Sequence, residues 1–170
     1  MTQPSVLIAY GSKRGGTAEI AHWIGDELRA AHIPADIANA REIRSLDGYD
    51  AVVLGGALYM GRWHRHARGF ARRFGKQLRE RPVWVFGSGP LDHSLDGPNP
   101  PKILGGNAVR TVAERLHARD HTLFGGRLKA DATGFPAAAM AKKAAGDYRN
   151  RSQICTWAAD IAAQLIRQPR

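Results

Sequence analysis

A single cysteine, Cys155, stands in a chain of 170 residues. It excludes an internal disulfide framework and any metal site built on clustered thiolates. No apolar run approaches the roughly 20 residues of a membrane-spanning helix. Met1-Thr2-Gln3-Pro4 leads straight into the first apolar run, which leaves no room for a secretory leader and makes the cytoplasm the expected location. Acidic residues are scarce: 15 Asp and Glu stand against 25 Lys and Arg, a net charge of +10. Such an excess speaks of partners rather than of fold, and it favours nucleic acid, an anionic membrane surface or anionic small molecules. No nucleic-acid motif accompanies the charge and aromatic interleaving is thin, so nucleic acid is not the expected partner. The seven histidines form no metal signature. His64 and His66 are two apart, which on a helix puts them on different faces, and the arginines around them repel a cation. The absence of G-x-S-x-G removes support for a serine hydrolase.

What is present begins with Val6-Leu7-Ile8-Ala9-Tyr10, an apolar run that suits a parallel strand buried on both faces. It opens into Gly11-Ser12-Lys13-Arg14-Gly15-Gly16-Thr17, and an amphipathic helix pattern follows at once. Backbone N–H groups at a helix N-terminus lack partners and favour an anion. Gly15 and Gly16 allow close approach of the backbone, Ser12 and Thr17 offer hydroxyls, and Lys13 and Arg14 add charge. The stretch reads as a phosphate cradle, with an ordinary capped strand–helix turn as the alternative. It is neither of the common nucleotide fingerprints. Thr17 follows Gly16 where a P-loop needs Lys, and G-x-G-x-x-G is missing.

Strand and helix patterns then alternate. Ile20, Ile24 and Leu28 make one helical stripe, with Trp23 and Ala31 beside it, and His32-Ile33-Pro34 is expected to end that helix. Ala35 to Ala40 is a weaker strand, expected near an edge; Ile43 and Leu46 suggest one helical turn. Ala51 to Leu54 is a third, strongly apolar strand, and a helix is expected from about His64 to Arg79. Pro82 to Phe86 is a fourth strand, followed by a long loop from Gly87 to Gly106. Val109, Val112, Ala113 and Leu116 mark the next helix, and His121 to Gly125 a fifth strand. Phe135 to Ala145 is an alanine-rich helical stretch, and Ile154, Trp157, Ala158, Ile161 and Leu165 define the closing helix. The class is therefore α/β, one domain over residues 1–170, with a five-stranded parallel sheet in the order 2-1-3-4-5. In that order a ligand sits at the C-terminal ends of the first, third and fourth strands, where this chain places its glycine-rich loops.

With three loops in register, the chain resembles the flavodoxin-like three-layer α/β/α sandwich over nearly its full length. The hydroxyl-x-x-Gly-x-Thr spacing from Ser12 to Thr17 is similar to the FMN-phosphate loop of that fold. A closer resemblance is to the bacterial flavodoxin-type, quinone-dependent protoporphyrinogen oxidases. It rests on Val53-Leu54-Gly55-Gly56-Ala57-Leu58-Tyr59-Met60-Gly61 followed by His64, on Phe124-Gly125-Gly126-Arg127-Leu128, and on a basic segment leading to Trp157 and Ile161. The resemblance implies FMN as cofactor. Ser12, Lys13, Arg14, Gly15, Gly16 and Thr17 would take its phosphate. Gly56, Ala57, Leu58, Tyr59, Met60 and Gly61 would border the ring, with Tyr59 or Trp63 covering a face. Gly87, Ser88 and Gly89 would give backbone contacts to its edge. The chain departs from the flavodoxin pattern at Arg14, where Thr is usual, and in a third loop that carries only Leu91 and His93 where an aromatic would stack.

The implied function is an FMN-dependent oxidoreductase that passes electrons from a small organic substrate to a quinone or other acceptor. A bound flavin carries the redox chemistry itself. His64 is the one candidate acid or base near the ring, and a surface or helix-start role is its alternative. The helix within Arg62 to Arg81 has many cations and only Glu80 among them. It reads either as a solvated face or as a binding surface for porphyrin propionates, an acidic redox partner or an anionic membrane, the last of which would hold the protein peripherally on the bilayer. The second function class is a non-catalytic carrier or binding module using that helix. Cys155 reads as a packing residue of the closing helix.

Overall fold

In a computed structural model, residues 3–134 and 137–168 are described. β1 (Val6–Gly11) lies between β2 (Ala35–Asn39) and β3 (Ala51–Tyr59), and β5 (Val83–Ser88) and β6 (Asp120–Phe124) continue the sheet beyond β3. All four contacts are parallel, with Val6 opposite Ala35 and Ala51, Val52 opposite Val83, and Trp84 opposite Asp120. β4 (Arg62–Trp63) folds back on the end of β3, so the order β2-β1-β3-β5-β6 is the expected 2-1-3-4-5 path with one short hairpin strand added.

The apolar runs are continuous because both faces of the sheet are covered. Val6, Ile8, Val53, Trp84 and Phe86 point to one side, against α1 (Gly16–Ala30) and α6 (Arg151–Arg167). Leu7, Ala9, Val52, Leu54, Val83 and Val85 point to the other, where Ala67, Phe70, Leu78, Val109 and Ala113 meet them from α2 (Arg65–Arg73), α3 (Gly75–Arg79) and α4 (Gly106–Arg115). Burying each large side chain contributes about 1.5–3 kcal/mol. β2, with its half-buried residues, is at an edge as its weaker pattern suggested.

Several boundaries differ from the sequence expectation. The helix expected from His64 to Arg79 is two helices, broken at Phe74 (φ −108°, ψ 14°) just before Gly75. Ile43 and Leu46 lie in an extended loop, and the single helical turn is a 3₁₀ turn over Ala40–Glu42, capped by the Asn39 side chain. α1 ends before Pro34 matters. His32 takes φ +62°, its N–H bonds to the Arg29 carbonyl, and the Ile33 N–H bonds to that of Leu28, the pattern of a Schellman turn. His117 closes α4 in the same way. Two of the seven histidines are therefore helix terminators. The alanine-rich stretch forms α5 (Ala137–Ala144), and Phe135 lies outside the described residues. A two-stranded ribbon, β7 (Arg127–Leu128) with β8 (Gly146–Asp147), brackets this crossover; strands of two residues leave no periodicity to read. Among the described residues no helix is long and apolar enough to cross a membrane.

Candidate functional site

The site is built where β1 hands over to α1. Gly15 is the N-cap residue of α1, at φ +83°, a conformation that costs a residue with Cβ dearly. It brings no side-chain cap, so the first-turn N–H groups of α1 are not capped by a side chain there. Ser12 Oγ accepts a hydrogen bond from the Gly15 N–H at 3.0 Å and closes the loop on itself. Lys13 is exposed, Arg14 is half-buried and Thr17 is buried.

Arg127 lies across the glycine pair. A Cβ on Gly15 would stand 3.7 Å from Arg127 Nη2, and one on Gly16 would stand 3.5 Å from Arg127 Cβ. The β7–β8 ribbon sets this position, with Arg127 opposite Asp147. Arg127 pairs with Glu19 in the first turn of α1, and Arg149 Nη1 reaches the second oxygen of Glu19 at 3.4 Å. The Arg149 side chain is 3% exposed and grips Asp147 bidentately, with Nε at 2.8 Å and Nη2 at 2.7 Å. It also donates to the Gly16 carbonyl and sits 4.7 Å from the centre of the Trp23 ring. The Arg149 hydrogen bonds hold the Asp147 carboxyl below the usual range, and Asp147 in turn raises Arg149.

The other expected loops converge on the same end of the sheet. β3 runs on to Tyr59, and Met60 (φ +51°) and Gly61 (φ +74°) form a two-residue hairpin turn into β4. Ala57, Leu58 and Tyr59 are half-buried, while Met60 is 65% exposed at the tip. Gly87 and Ser88 are buried in the end of β5, and Ser88 Oγ donates to the Gly125 carbonyl at 3.3 Å. Gly89 stands against Leu58, where an added Cβ would come within 2.5 Å of the Leu58 Cβ. The Gly126 N–H donates to the Pro90 carbonyl at 2.8 Å and ties this loop to the crossover that carries Arg127. The three loops therefore share one rim.

Two expectations need correction here, and His64 takes the helix-start role that was its alternative. Trp63 is 1% exposed, and its Nε1–H donates to the Phe86 carbonyl at 3.2 Å inside the core, so it presents no free face to a ring. Gly56 is not a loop residue. It is buried within β3, and a Cβ there would meet the Trp63 indole at 2.6 Å. Its lack of a side chain answers to packing. His64 is the N-cap of α2, with Nδ1 accepting from the His66 N–H at 3.2 Å, which places its proton on Nε2. Burial, then His66, Arg65 and Arg68, lower its pKa to about 4, so it is neutral at pH 7.

Sequence reasoning passed over Lys129, Arg149 and Tyr148 altogether and quoted Arg127 only as part of a resemblance. Tyr148 packs edge-on against His93 of the third loop, with ring centres 5.2 Å apart, and brings an aromatic group to the loop that lacked one. A pocket of about 250 Å³ beside the cradle is lined by Lys13, Arg14, Arg127, Lys129, Asp131, Ala132 and Thr133. A larger cavity of about 770 Å³ runs along β6 between α4 and α6 and is walled in part by Leu95, Asp96 and residues 100–103. None of its lining comes from the loop after β1 or from the β3–β4 turn. The smaller pocket is the one with concentrated positive charge, beside the loop that leads into α1, and it is where anion chemistry belongs.

Residues 7–145 match a family described as flavodoxin domain. Over 78 residues the chain is 32% identical to a protoporphyrinogen IX dehydrogenase [quinone] of Escherichia coli strain K12, a stretch that covers 45% of this chain and 43% of that relative. The match thus spans less than half the length of that curated relative. Among solved structures, a flavodoxin from the domain Archaea overlays with a TM-score of 0.63 at 12% identity, covering 95% of this chain and 99% of the other. Two-electron reduced Megasphaera elsdenii flavodoxin gives 0.64 at 16% identity, over 94% and 98%. Rubredoxin oxygen:oxidoreductase of Desulfovibrio gigas gives 0.65 at 13%, over 97% of this chain and 37% of that one. At these identities the overlays establish the fold.

Proposed function

Because the chain belongs to the flavodoxin domain family, we propose that it is an FMN-binding oxidoreductase, moving electrons from a small organic substrate to a quinone or another acceptor. One observation carries the reading: the side-chain-free N-terminus of α1, with Gly15 at positive φ, opens at the point between β1 and β3 where the strand order reverses. The residues present fit a flavin nucleotide. Gly15 and Gly16 leave room for a phosphate against the helix N-terminus, and Ser12 can turn its hydroxyl from Gly15 to the ligand. Arg14 replaces a neutral hydroxyl donor by a guanidinium, which pairs with phosphate in two hydrogen bonds.

The flavin, when bound, supplies the electron chemistry. The chain positions it. Ala57 to Gly61 and Gly89 bring backbone to the ring end, Tyr59 offers an aromatic face, and Tyr148 with His93 walls the third loop. His64, neutral and engaged at Nδ1, offers only its Nε2–H as a donor, and its plain task is to cap α2 beside Gly11. A second reading is a non-catalytic carrier docking through the basic helix. It is favoured by the exposed Arg65, Arg68 and Arg72 of α2. The same surface suits an acidic redox protein or an anionic membrane. Steady-state turnover with candidate donors separates enzyme from carrier.

The decisive first test is the absorbance spectrum of the purified chain, with FMN titrated in if it is colourless. A bound-flavin spectrum that a Lys13→Glu/Arg14→Glu variant loses is the expected result. No uptake at FMN far in excess of protein would overturn the reading.

A further inference from the structure

Among the described residues the sheet ends at β6. Its inner side pairs with β5, and no strand pairs with its outer side. An edge strand presents unpaired N–H and C=O groups, and folds commonly cover or blunt them. Here no hydrogen bond among the described residues reaches the β6 backbone from α4, α6 or residues 100–103. The Trp157 indole bonds to β6 at 2.9 Å, but through the Asp120 carboxylate. The cavity of about 770 Å³ lies along this open edge instead, lined by His121, Thr122, Leu123 and Phe124. Two helices wall it. α4 packs on one face of the sheet through Val109 and Ala113 and turns Asn107 and Arg110 to the groove. α6 packs on the other face through Ile154, Ala158 and Ile161 and turns Gln153, Thr156 and Asp160 to it. The walls differ in charge. Lys102 and Arg110 stand on the α4 side and Asp160 on the α6 side. Asp96 adds a carboxylate near α6, since Gln153 Nε2 donates to the Leu95 carbonyl at 2.9 Å, and His93 engages it at 2.8 Å. Among the described residues Lys102 and Asp160 have no ion-pair partner, and Arg110 has only Glu114 at 3.9 Å.

We propose that the groove along β6 takes an extended peptide segment as an added strand, recognised by acidic and basic side chains in alternation. A strand laid on β6 continues the sheet, so its successive side chains point to opposite faces. One set meets Lys102 and Arg110 beside α4, and the other meets Asp160 beside α6. Acidic residues fit the first set and basic residues the second. Main-chain hydrogen bonds to the open edge supply affinity, and the alternate side chains supply specificity. The five residues of β6 span about 17 Å, the reach of a peptide of similar length. A second copy of this chain fits less well. In antiparallel pairing of two β6 edges, both α4 walls fall on one side of the joint sheet, and cation meets cation. The inference goes beyond the flavin reading and does not rest on it, because the groove takes no lining from the loop after β1.

The experiment is fluorescence anisotropy of a labelled, capped hexapeptide of alternating Glu and Lys, titrated with the full chain at low salt. Saturable binding is expected. The block peptide Glu-Glu-Glu-Lys-Lys-Lys has the same composition without the alternation and should bind roughly tenfold more weakly or worse. The alternating peptide methylated at every amide nitrogen keeps its charges but loses its ladder donors, and it should not bind. Arg110→Glu and Asp160→Lys alter exposed side chains, and each should weaken binding roughly tenfold. Reversing both walls together, in Lys102→Glu/Arg110→Glu/Asp160→Lys, should restore it, because an alternating peptide can slip by one residue and meet the new polarity. All these variants should take up FMN as the parent does, which keeps this test apart from that of the flavin reading. No saturable binding, equal binding of the alternating and block peptides, or single reversals without effect overturns the proposal. A chain that is dimeric at the assay concentration, and that the peptide does not dissociate, would assign the edge to a second copy and overturn it as well.

Discussion

Gly56→Ala tests whether a glycine near the C-terminal end of β3 serves a ligand or the core. The added Cβ would stand 2.6 Å from Trp63 Nε1, 2.8 Å from Trp63 Cε2 and 3.0 Å from the Ala67 Cβ. Carbon contacts settle at about 3.5–4.0 Å, so the indole must retreat by about 1 Å. It has little freedom to do so, being buried with its N–H already 3.2 Å from the Phe86 carbonyl. Overpacking of this kind costs about 1–3 kcal/mol. Losing the indole hydrogen bond adds about 1 kcal/mol, for a total of about 2–4 kcal/mol. Urea denaturation followed by circular dichroism should show a lower midpoint at an unchanged slope. In a Trp63→Leu background the leucine can yield, and the cost of Gly56→Ala should shrink by about 1–3 kcal/mol, a coupling well above additivity error. Equal costs in the two backgrounds, or a Gly56→Ala protein as stable as its parent, would refute the packing argument. A parent-like stability combined with lost FMN affinity would return Gly56 to the cofactor.

Two further predictions follow from charge. His64, at a pKa of about 4 in the folded chain against 6.5 unfolded, takes its proton first in the unfolded state, so stability is complete above pH 6.5 and falls from there down to pH 4. The full shift corresponds to about 3 kcal/mol, which screening at this half-buried ring cuts to about 1–2 kcal/mol. A His64→Asn variant keeps a good N-cap and should lose less stability between pH 7 and pH 4.5 than its parent; parallel curves would contradict the assignment. Reversing Arg65, Arg68 and Arg72 to Glu should leave the flavin spectrum alone and abolish binding to vesicles rich in anionic lipid, where each cation near the surface contributes about 1 kcal/mol. Vesicle binding and redox rates both unchanged would return these arginines to a solvated face.

The layered fold was readable because strands buried on both faces cannot hide. Val6 to Ala9 and Ala51 to Leu54 are apolar at every position, and the alternation with helix patterns then leaves few topologies. The glycine-rich turn after β1 was readable for a similar reason, since its demand for positive φ at Gly15 is local. Long-range features were not. Arg127 meets Glu19 only once the last crossover has folded back over α1, and nothing within a window of sequence reports that. Gly56 and Trp63 read alike as loop and stacking residues because the hairpin that buries the indole depends on a two-residue turn with Met60 at positive φ, an uncommon choice for a residue with a long side chain. The end of α1 was placed at His32-Ile33-Pro34 on the strength of the proline, and the histidine turns that close α1 and α4 carried no signal because glycine is the usual marker of such turns.

The positive charge of this chain divides into two populations with different physics. At the cradle, the Arg149 side chain is nearly buried and must be paired, because a buried guanidinium without a carboxylate is costly; removing Asp147 would leave it only the 3.4 Å contact with Glu19. Those arginines belong to the fold as well as to the site. Along α2 the situation is reversed. Among the described residues no ion pair involves Arg65, Arg68 or Arg72, and Arg73 alone is engaged, with the Ala40 and Ile43 carbonyls. Exposed charges contribute little to stability, and neighbouring like charges subtract from it. A helix face that is unhelpful to its own fold makes sense through what it meets outside. Charge reversal on α2 should therefore separate partner binding from stability, a separation that no substitution at Arg149 can achieve.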